Sequence, residues 1–446
     1  MSTTPPRLHS LDLLRGVAVV LVIGRHLELC PSYVPGSNLL LRLWQTAGWL
    51  GVDLFFVLSG FLVSGLLFRE YLSSGQIQAG RFLLRRGLKI YPAFYCFLTV
   101  TTLLLSVGKP IFTRTQLLGE FFFLQNYLDR IWLHTWSLAV EEHFYLGITL
   151  ILRLLLRFDP QRSLRFLPPV LLFFLILPLL LRCLHRDALW VELCFPTHLR
   201  VDSLVFGVCL SYLWNSRMGI VRIFVRRYRW PMLGTGFALF TPAFIWPLET
   251  TPALYTYGFT FLYLGAGLVL LAVLARELPA NWLTRPLSWV GKHSYSIYLW
   301  HLPALIWVVP MLVTMTGHRD AWFVAVMSVV SSVLVGVGMS RLIETPVLQW
   351  RDRTFPSTLG GLETPSSAER VSLGADTIGG RLPHVHSPVG PPNIAAREEA
   401  GATLENSRPR GLGNGCDVGQ ASLSLRNHTQ QDELVDLGRS SGPAAT

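Results

Sequence analysis

Apolar stretches close to the length that crosses a lipid bilayer recur along the first three quarters of the chain. Polar residues are concentrated in the short segments between these stretches, as expected for helices surrounded by hydrocarbon. The pattern predicts an all-α integral membrane protein, a bundle of about ten transmembrane helices. We place them at residues 11–30, 47–68, 82–107, 134–157, 165–182, 197–214, 229–247, 255–274, 290–315 and 320–343.

The composition fits a chain that lies in lipid, since 51% of the residues are hydrophobic and only 15% are charged. The net charge of +11 does not indicate a nucleic-acid binder, because the basic residues lie in short loops and form no continuous basic domain. With a cytoplasmic N-terminus, the inner loops hold more than twice as many Lys and Arg residues as the outer loops. Cytoplasmic loops retain positive charge, so we predict that both termini are cytoplasmic.

The composition changes after Trp350, where Gly, Pro, Ser and Thr become frequent and apolar periodicity ends. Such a segment buries too little apolar surface to offset the entropy of ordering it. We therefore divide the chain into a transmembrane domain, residues 1–350, and a low-complexity cytoplasmic tail, residues 351–446, which we predict to be disordered. The cluster of Gly411, Gly413 and Gly415 in this tail follows no predicted strand, so it is a weak signal for nucleotide binding.

The six cysteines show no metal-ligand spacing, and we predict no metal site. Cys183 and Cys194 fall near the predicted outer surface. Because that side of a membrane can be oxidising, a disulfide between them is one possibility.

Ionisable residues inside the predicted helices point to function, because lipid tolerates them only where they face a bundle interior or a wet cavity. In the first helix, Arg15 and His26 are eleven residues apart, on nearly the same face and about 16 Å apart along the axis. This spacing places Arg15 at the cytoplasmic mouth and His26 deep in the membrane. A snorkelling arginine and a structural buried histidine are the alternative interpretation of the pair.

The second helix carries Asp53 in its first turns, a carboxylate that would be costly to bury without a partner. We assign its neighbours Gly51, Ser59 and Gly60 to close helix packing, which small residues permit.

Arg85, Arg86 and Lys89 open the third helix on the predicted cytoplasmic side. Anchoring by positive inner loops explains this cluster. The same groups are also suited to clamp the phosphates of a charged carrier.

The fourth helix carries the densest polar run, with one stripe formed by His134, Ser137, Glu141 and Tyr145. We expect Glu141 to face the bundle interior and Glu142 to find a partner elsewhere. A similar stripe on the ninth helix contains Ser294, Tyr298 and His301. On the sixth helix, His198 and Asp202 lie one turn apart with Arg200 opposite, and both a structural and a catalytic ion pair are open there.

The predicted topology brings these residues together. It places four candidate acid and base groups in the middle or outer half of the bundle, namely His26, Asp53, Glu141 and His301. It gathers four basic side chains at the cytoplasmic mouth, namely Arg15, Arg85, Arg86 and Lys89. A basic mouth that leads to buried acid and base groups suits a substrate that is polyanionic at one end and reactive at the other.

Five motifs in this order carry a family resemblance: LDLLRG at Leu11–Gly16 with His26, GVDLFFVLSGF at Gly51–Phe61, RRGLKIYP at Arg85–Pro92, TWSLAVEEHFY at Thr135–Tyr145 and SYSIYLWH at Ser294–His301. In these motifs the chain resembles the acyltransferase 3 family of integral membrane acyltransferases, over roughly residues 8 to 350. The family O-acylates cell-surface polysaccharides, peptidoglycan, lipids or secreted small molecules. The resemblance implies an enzyme that transfers acyl groups other than aminoacyl groups, in a bacterial inner membrane.

The resemblance also implies an acyl-CoA donor, usually acetyl-CoA, that enters from the cytoplasm and is not a permanently bound cofactor. Its phosphates would meet Arg85, Arg86 and Lys89, with Arg15 nearby. We expect His26 to act as the general base for the acceptor hydroxyl, or to carry the acyl group transiently. Asp53 or Glu141 would orient it, and His301 completes the predicted catalytic set.

Two positions depart from the family pattern: Lys89 replaces a common arginine, and His143 stands where glutamine is frequent. The tail shows no Gly-Asp-Ser block like that of the esterase-like domain fused to some members, so we expect transfer directly onto the final acceptor. The main alternative is a proton-coupled transporter that uses the same intramembrane residues, although no internal repeat is visible. A haem-binding bundle that uses His26 and His301 is a second alternative.

Overall fold

The computed structural model describes residues 9–34, 38–107, 112–158, 163–216, 218–276 and 278–356, and this part of the chain is helical without a β-strand. The predicted all-α fold is therefore confirmed. Residues 351–354 of the predicted tail, 351–446, are helical, and the tail from residue 357, with its glycine cluster, lies outside the described residues. The helices are α1 (His9–Arg25), α2 (Leu39–Ala47), α3 (Trp49–Ser74), α4 (Ala79–Ser106), α5 (Arg114–Phe121), α6 (Trp136–Phe158), α7 (Ser163–Leu184), α8 (Trp190–Cys194), α9 (Thr197–Ser216), α10 (Met218–Arg227), α11 (Arg229–Ile245), α12 (Phe259–Leu274), α13 (Thr284–Lys292), α14 (Ser294–Pro303), α15 (Val309–Thr316), α16 (Ala321–Met339) and α17 (Thr345–Thr354).

Seven segments of the described chain are long and apolar enough to cross a membrane, and they contain α3, α4, α7, α9, α12, α14 with α15, and α16. The protein is therefore a multi-pass membrane protein, as predicted. Three other predicted spans correspond to α1, α6 and α11. α1 and α11 have 17 residues each, and α6 contains two glutamates and two arginines. The count of ten spans and the cytoplasmic side of both termini stay predictions.

Glycines let the central helices approach each other closely. A Cβ at Gly207 of α9 would collide with the backbone of α3, and one at Gly291 of α13 would collide with the Asp12 carbonyl of α1. A Cβ at Gly51 of α3 would meet the Ala18 carbonyl of α1. Close backbone contact of this kind stabilises helix pairs in lipid through dispersion forces. The predicted packing role of Gly51 is thus confirmed, and close backbone contacts join α1 to α3 and α13 and join α3 to α9.

The aromatic stretch between α4 and α6 divides into exposed and buried rings. Phe121 and Phe122 are 55% and 60% exposed, as an interfacial segment requires, whereas Phe123 is buried. Phe123 has a φ of 58°, a left-handed conformation that is strained for a bulky residue. Its ring packs against Phe94 with 4.6 Å between centroids, and this contact holds the turn in place.

Glu120 of α5 forms hydrogen bonds to residues 131–135, the segment that leads into α6. Its carboxylate is fully buried, and Oε1 accepts hydrogen bonds from the backbone N–H of Ile131 (3.1 Å), that of Trp132 (3.3 Å) and the Thr135 hydroxyl (2.8 Å). Burial raises the pKa of Glu120 to about 7, although these three donors and the positive charge of Arg130 favour its ionised form. The bonds fix the turn that carries His134 to the start of α6.

The two outer cysteines are not joined in the structure. Cys183 is exposed, Cys194 is buried, and both are free thiols. The disulfide considered from the sequence is therefore absent.

Glu120 makes the stability of the protein depend on pH. Because its pKa is higher in the folded chain than the ordinary 4.5, its contribution is greatest below pH 4.5 and is lost as the pH rises through about 7. Glu120→Gln keeps an acceptor oxygen and cannot ionise, so the variant should gain up to about 3 kcal/mol relative to the wild type above pH 7. Melting temperatures of the purified protein across the pH range test this, and parallel profiles of the two proteins would contradict it.

Candidate active site

A cavity of about 840 Å³, including its open mouth, lies among α1, α3, α4, α6, α13 and α14. Its volume is within the range of small-molecule sites. Basic groups outnumber acids among the polar lining residues, which are Arg15, Arg86, Lys89, Lys292, Glu141, Glu344, Ser59, Ser137, Ser294, Tyr145, Tyr295 and Tyr298. The cavity therefore favours an anionic ligand.

Glu141 is held in the cavity wall by two hydroxyl groups. Ser59 donates to Oε1 and Tyr145 donates to Oε2, both at 2.8 Å. The Arg86 guanidinium lies 4.3 Å from the centroid of the Tyr145 ring. The expected inward orientation of Glu141 is confirmed, and so is a separate partner for Glu142, which accepts a hydrogen bond from Tyr91. The assignment of Ser59 to helix packing is wrong, because its hydroxyl serves this carboxylate.

Three of the four predicted donor-binding residues line the cavity: Arg15, Arg86 and Lys89. Arg85 does not, because its side chain is bonded to Asp352 (2.9 Å) and to the Phe355 carbonyl near the end of α17. Adjacent residues on a helix point about 100° apart, so one arginine of the pair turns inward and the other outward. Lys292, at the end of α13, adds a cation that was not among the predicted donor-binding residues.

The other acid at the cavity is Glu344, which is buried. Its Oε2 accepts hydrogen bonds from the hydroxyls of Ser296 (2.7 Å) and Ser340 (3.1 Å). Glu344 ends a π-helical turn, Ser340–Glu344, and its side chain lines the cavity.

His26 ends α1 instead of lying within it. Its backbone N–H bonds to the Ile23 carbonyl (3.1 Å), and its side-chain Nδ1 takes the Val22 carbonyl (3.0 Å) that a continuing helix would have used. The preceding residue, Arg25, forms an ion pair with Glu249. The side chain of His26 therefore caps the helix, and this fixes the direction of its ring.

His26 and His301 form a hydrogen-bonded pair. His301 is fully buried, and its Nδ1 lies 2.6 Å from the Tyr298 carbonyl, so Nδ1 carries the proton and Nε2 keeps a lone pair. That Nε2 is 3.1 Å from Nδ1 of His26. The His26 proton therefore lies on Nδ1, which faces two acceptors, and its Nε2 has a lone pair that can accept a proton. In this arrangement the two imidazoles bond to each other, which does not support the haem alternative.

His134 joins this pair as a third imidazole. Its ring centroid lies 4.9 Å from that of His301, and its Nε2 donates to the Leu299 carbonyl (3.1 Å). The sequence placed His134 on the polar stripe of the fourth predicted helix but not in the catalytic set. The sequence did contain a signal for this contact. The polar stripe on the ninth predicted helix includes His301, and in the structure His301 lies against His134.

Ser137 and Tyr298 separate the cavity from the histidines. Their hydroxyls are 2.6 Å apart, and the Tyr298 hydroxyl is 2.9 Å from the His134 carbonyl oxygen. Both residues line the cavity, whereas His26 and His301 do not. The Tyr298 ring is 5.6 Å from that of His301. One layer of side chains therefore stands between the cavity and the imidazole pair.

Asp53 lies in a buried ion pair away from His26. Its Oδ1 accepts from Arg200 (2.9 Å) and from the Ser203 hydroxyl (2.8 Å), and both charged side chains are fully buried. A second buried pair joins Asp202 and Arg182 at 2.7 Å. These contacts favour the structural interpretation of the acids and Arg200 on α3 and α9. The side chain that hydrogen-bonds to His26 is that of His301, and neither Asp53 nor Glu141 takes this place.

No group of three His, Cys, Asp or Glu side chains within the described ranges is arranged to hold a metal ion.

The comparisons agree with this arrangement of motifs. The family model for the acyltransferase domain matches residues 8–341, so the chain belongs to the acyltransferase 3 family. It is 29% identical over 372 residues to peptidoglycan O-acetyltransferase OatA of Listeria monocytogenes, covering 76% of this chain and 55% of that protein. It is also 29% identical to O-acetyltransferase OatA of Staphylococcus aureus, covering 77% and 58%.

The chain therefore spans less than three fifths of the length of these relatives. No solved structure matches it. Membership of an acyltransferase family favours the enzyme over the transporter that the intramembrane acids and histidines had also allowed.

Asp53 offers a test that separates a structural from a catalytic role. Asp53→Asn leaves the Arg200 charge buried without its carboxylate, which should cost about 3–5 kcal/mol of stability. Asp53→Asn combined with Arg200→Met should recover part of this loss, because both charges are then removed. Melting temperatures of the purified variants measure the effect.

Asp352→Asn is the matched control, because this partner of Arg85 is 51% exposed and its loss should change stability by less than about 1 kcal/mol. A stable Asp53→Asn protein that lacks acyl transfer would instead show that Asp53 is catalytic.

Proposed function

We propose that this protein is an O-acetyltransferase of the bacterial inner membrane that moves an acetyl group from cytoplasmic acetyl-CoA to a hydroxyl group of a cell-surface glycan. The relatives named O-acetyltransferases support acetyl as the transferred group, and the relative named for peptidoglycan supports a glycan acceptor. One observation carries the proposal: a cationic cavity ends one side-chain layer away from a histidine whose Nε2 keeps its lone pair.

The cavity accounts for the donor. Arg15, Arg86, Lys89 and Lys292 supply positive charge for the phosphates of CoA, and guanidinium groups match phosphate oxygens in a bidentate manner. The apolar wall at Val52, Phe55 and Phe56 suits the pantetheine arm. The acyl thioester then lies at the closed end of the cavity, against Ser137 and Tyr298.

His26 accounts for the chemistry. Its Nε2 takes the proton of the acceptor hydroxyl, the hydroxyl oxygen attacks the thioester carbonyl carbon, and the C–S bond breaks. The CoA thiolate leaves and receives the proton from the His26 imidazolium. His301 accepts from Nδ1 of His26 throughout, so it fixes the tautomer and stabilises the transient positive charge. A transient acyl group on the same Nε2 is the alternative course.

Tyr298 must turn away from Ser137 before the thioester can meet His26. In the structure the Ser137 and Tyr298 hydroxyls are hydrogen-bonded to each other, and the Tyr298 hydroxyl also bonds to the His134 carbonyl. Once they part, both become donors at the end of the cavity, where negative charge develops on the thioester oxygen. Binding of the donor thus supplies the contacts that replace the Ser137–Tyr298 hydrogen bond.

Variants of the histidine pair test the proposal. His26→Ala should abolish acetyl transfer, a loss of at least about 10³-fold, because no base then accepts the hydroxyl proton. His301→Ala should lower kcat, whereas His301→Gln, which keeps an acceptor for Nδ1 of His26, should retain more activity and shift the pH profile. CoA release and acetylation of isolated cell-wall glycan are the two readouts.

His185→Gln is the control, because His185 is exposed and its Nδ1 is bonded only to the carbonyl of its own helix. Turnover close to wild type in a well-expressed His26→Ala protein would refute the proposed role of His26. A protein that transports a solute but releases no CoA would refute the enzymatic function.

A further inference from the structure

A second cavity lies apart from the first and shares no lining residue with it. It has a volume of about 1110 Å³, including its open mouth, and lies where the end of α9 meets α10 and the end of α12. Its main polar side chains are Arg69 of α3, Asn215 of α9, and Arg222 and Arg226 of α10. Nothing in the proposed reaction uses these residues.

The charge of this cavity is not balanced by acids. None of the described residues that line it is a carboxylate. Arg69 donates from Nε to the Gly65 carbonyl (3.0 Å), and Arg226 donates from Nε to the Ala275 carbonyl (3.4 Å). Arg222 lies over the Trp214 ring at 5.5 Å. Three guanidinium groups therefore share one cavity with neutral partners, a setting that favours a phosphate group.

The helix beside the cavity has the character of one that lies in a membrane surface. Val225 of α10 is buried against α11 and α12, while Arg222 and Arg226, one turn apart, face the cavity. The remaining side of α10 exposes large apolar groups, namely Ile220 (68%), Ile223 (72%) and Phe224 (56%), together with Arg227. A short helix with adjoining apolar and arginine stripes is typical of the boundary between headgroups and acyl chains.

We infer that the cavity formed by Arg69, Arg222 and Arg226 binds an anionic phospholipid of the leaflet on the predicted cytoplasmic side. The phosphate is held by the three guanidinium groups, and an acyl chain lies along Ile223, the exposed apolar residue next to the arginine side of α10. A soluble phosphate compound would use the guanidinium groups but not the apolar side of α10. The charge of the cavity and the exposed side of the helix therefore favour a lipid over a nucleotide.

Lipid binding to the purified full-length protein tests this inference by native mass spectrometry. Phosphatidylglycerol should bind as a discrete adduct in preference to phosphatidylcholine. The double variant Arg222→Gln/Arg226→Gln should bind it about tenfold more weakly, because two charged donors are lost. Arg69→Gln, which changes a different helix, should weaken the same adduct.

Arg227→Gln is the matched control, because it removes the same charge from α10 but at a residue that does not line the cavity. It should bind phosphatidylglycerol as the wild type does. Equal binding by the double variant and the control would overturn the inference, as would equal binding of the two lipids. Displacement of phosphatidylglycerol by added CoA would show instead that the cavity is a nucleotide site.

Discussion

The cost of charge in hydrocarbon determines how the fully buried ion pairs of this bundle are arranged. Two ion pairs, Asp53 with Arg200 and Asp202 with Arg182, are fully buried and join α3, α9 and α7. Breaking such a pair leaves an uncompensated charge, so these contacts fix the relative positions of the helices. The ionisable groups of the candidate site differ from these pairs: Arg86 and Glu141 line an open cavity, and His26 and His301 are imidazoles that can stay neutral. The residues that position the helices are therefore different from the residues that we propose for catalysis.

The position of the reactive imidazole follows from this frame. Glycine contacts bring α1 against α3 and α13, and the side chain of His26 then caps the end of α1. The same histidine donates to His301 of α14, so its Nδ1 is occupied and its Nε2 is left as a base. On the other side of Ser137 and Tyr298 lies the cationic cavity, whose charge suits the polyanionic donor that we propose. Each part is explained by hydrogen bonding and by charge complementarity between neighbouring helices.

Sequence patterns predicted most of the fold and about half of the site geometry. Apolar length gives helices, and a polar stripe at helical spacing gives the face that turns inward, so Glu141 and Tyr298 were placed correctly. Pairings between distant helices are not periodic in sequence. For this reason the partner of Asp53 on α9, the hydrogen bond between His26 and His301, and the separation of Arg85 from Arg86 appeared only in the structure. His26 was expected inside a helix because spacing alone does not show that its side chain replaces a backbone hydrogen bond.

The central claim is that the cationic cavity binds the acyl donor and directs its thioester toward His26. The most direct test is to measure the affinity of two purified variants, changed at neighbouring residues, for acetyl-CoA. Arg86 lines the cavity, whereas Arg85 is bonded to α17. Isothermal titration should show that Arg86→Gln weakens acetyl-CoA binding by about tenfold or more, while Arg85→Gln binds as the wild type does. Loss of binding in Arg85→Gln with full binding in Arg86→Gln would contradict the claim.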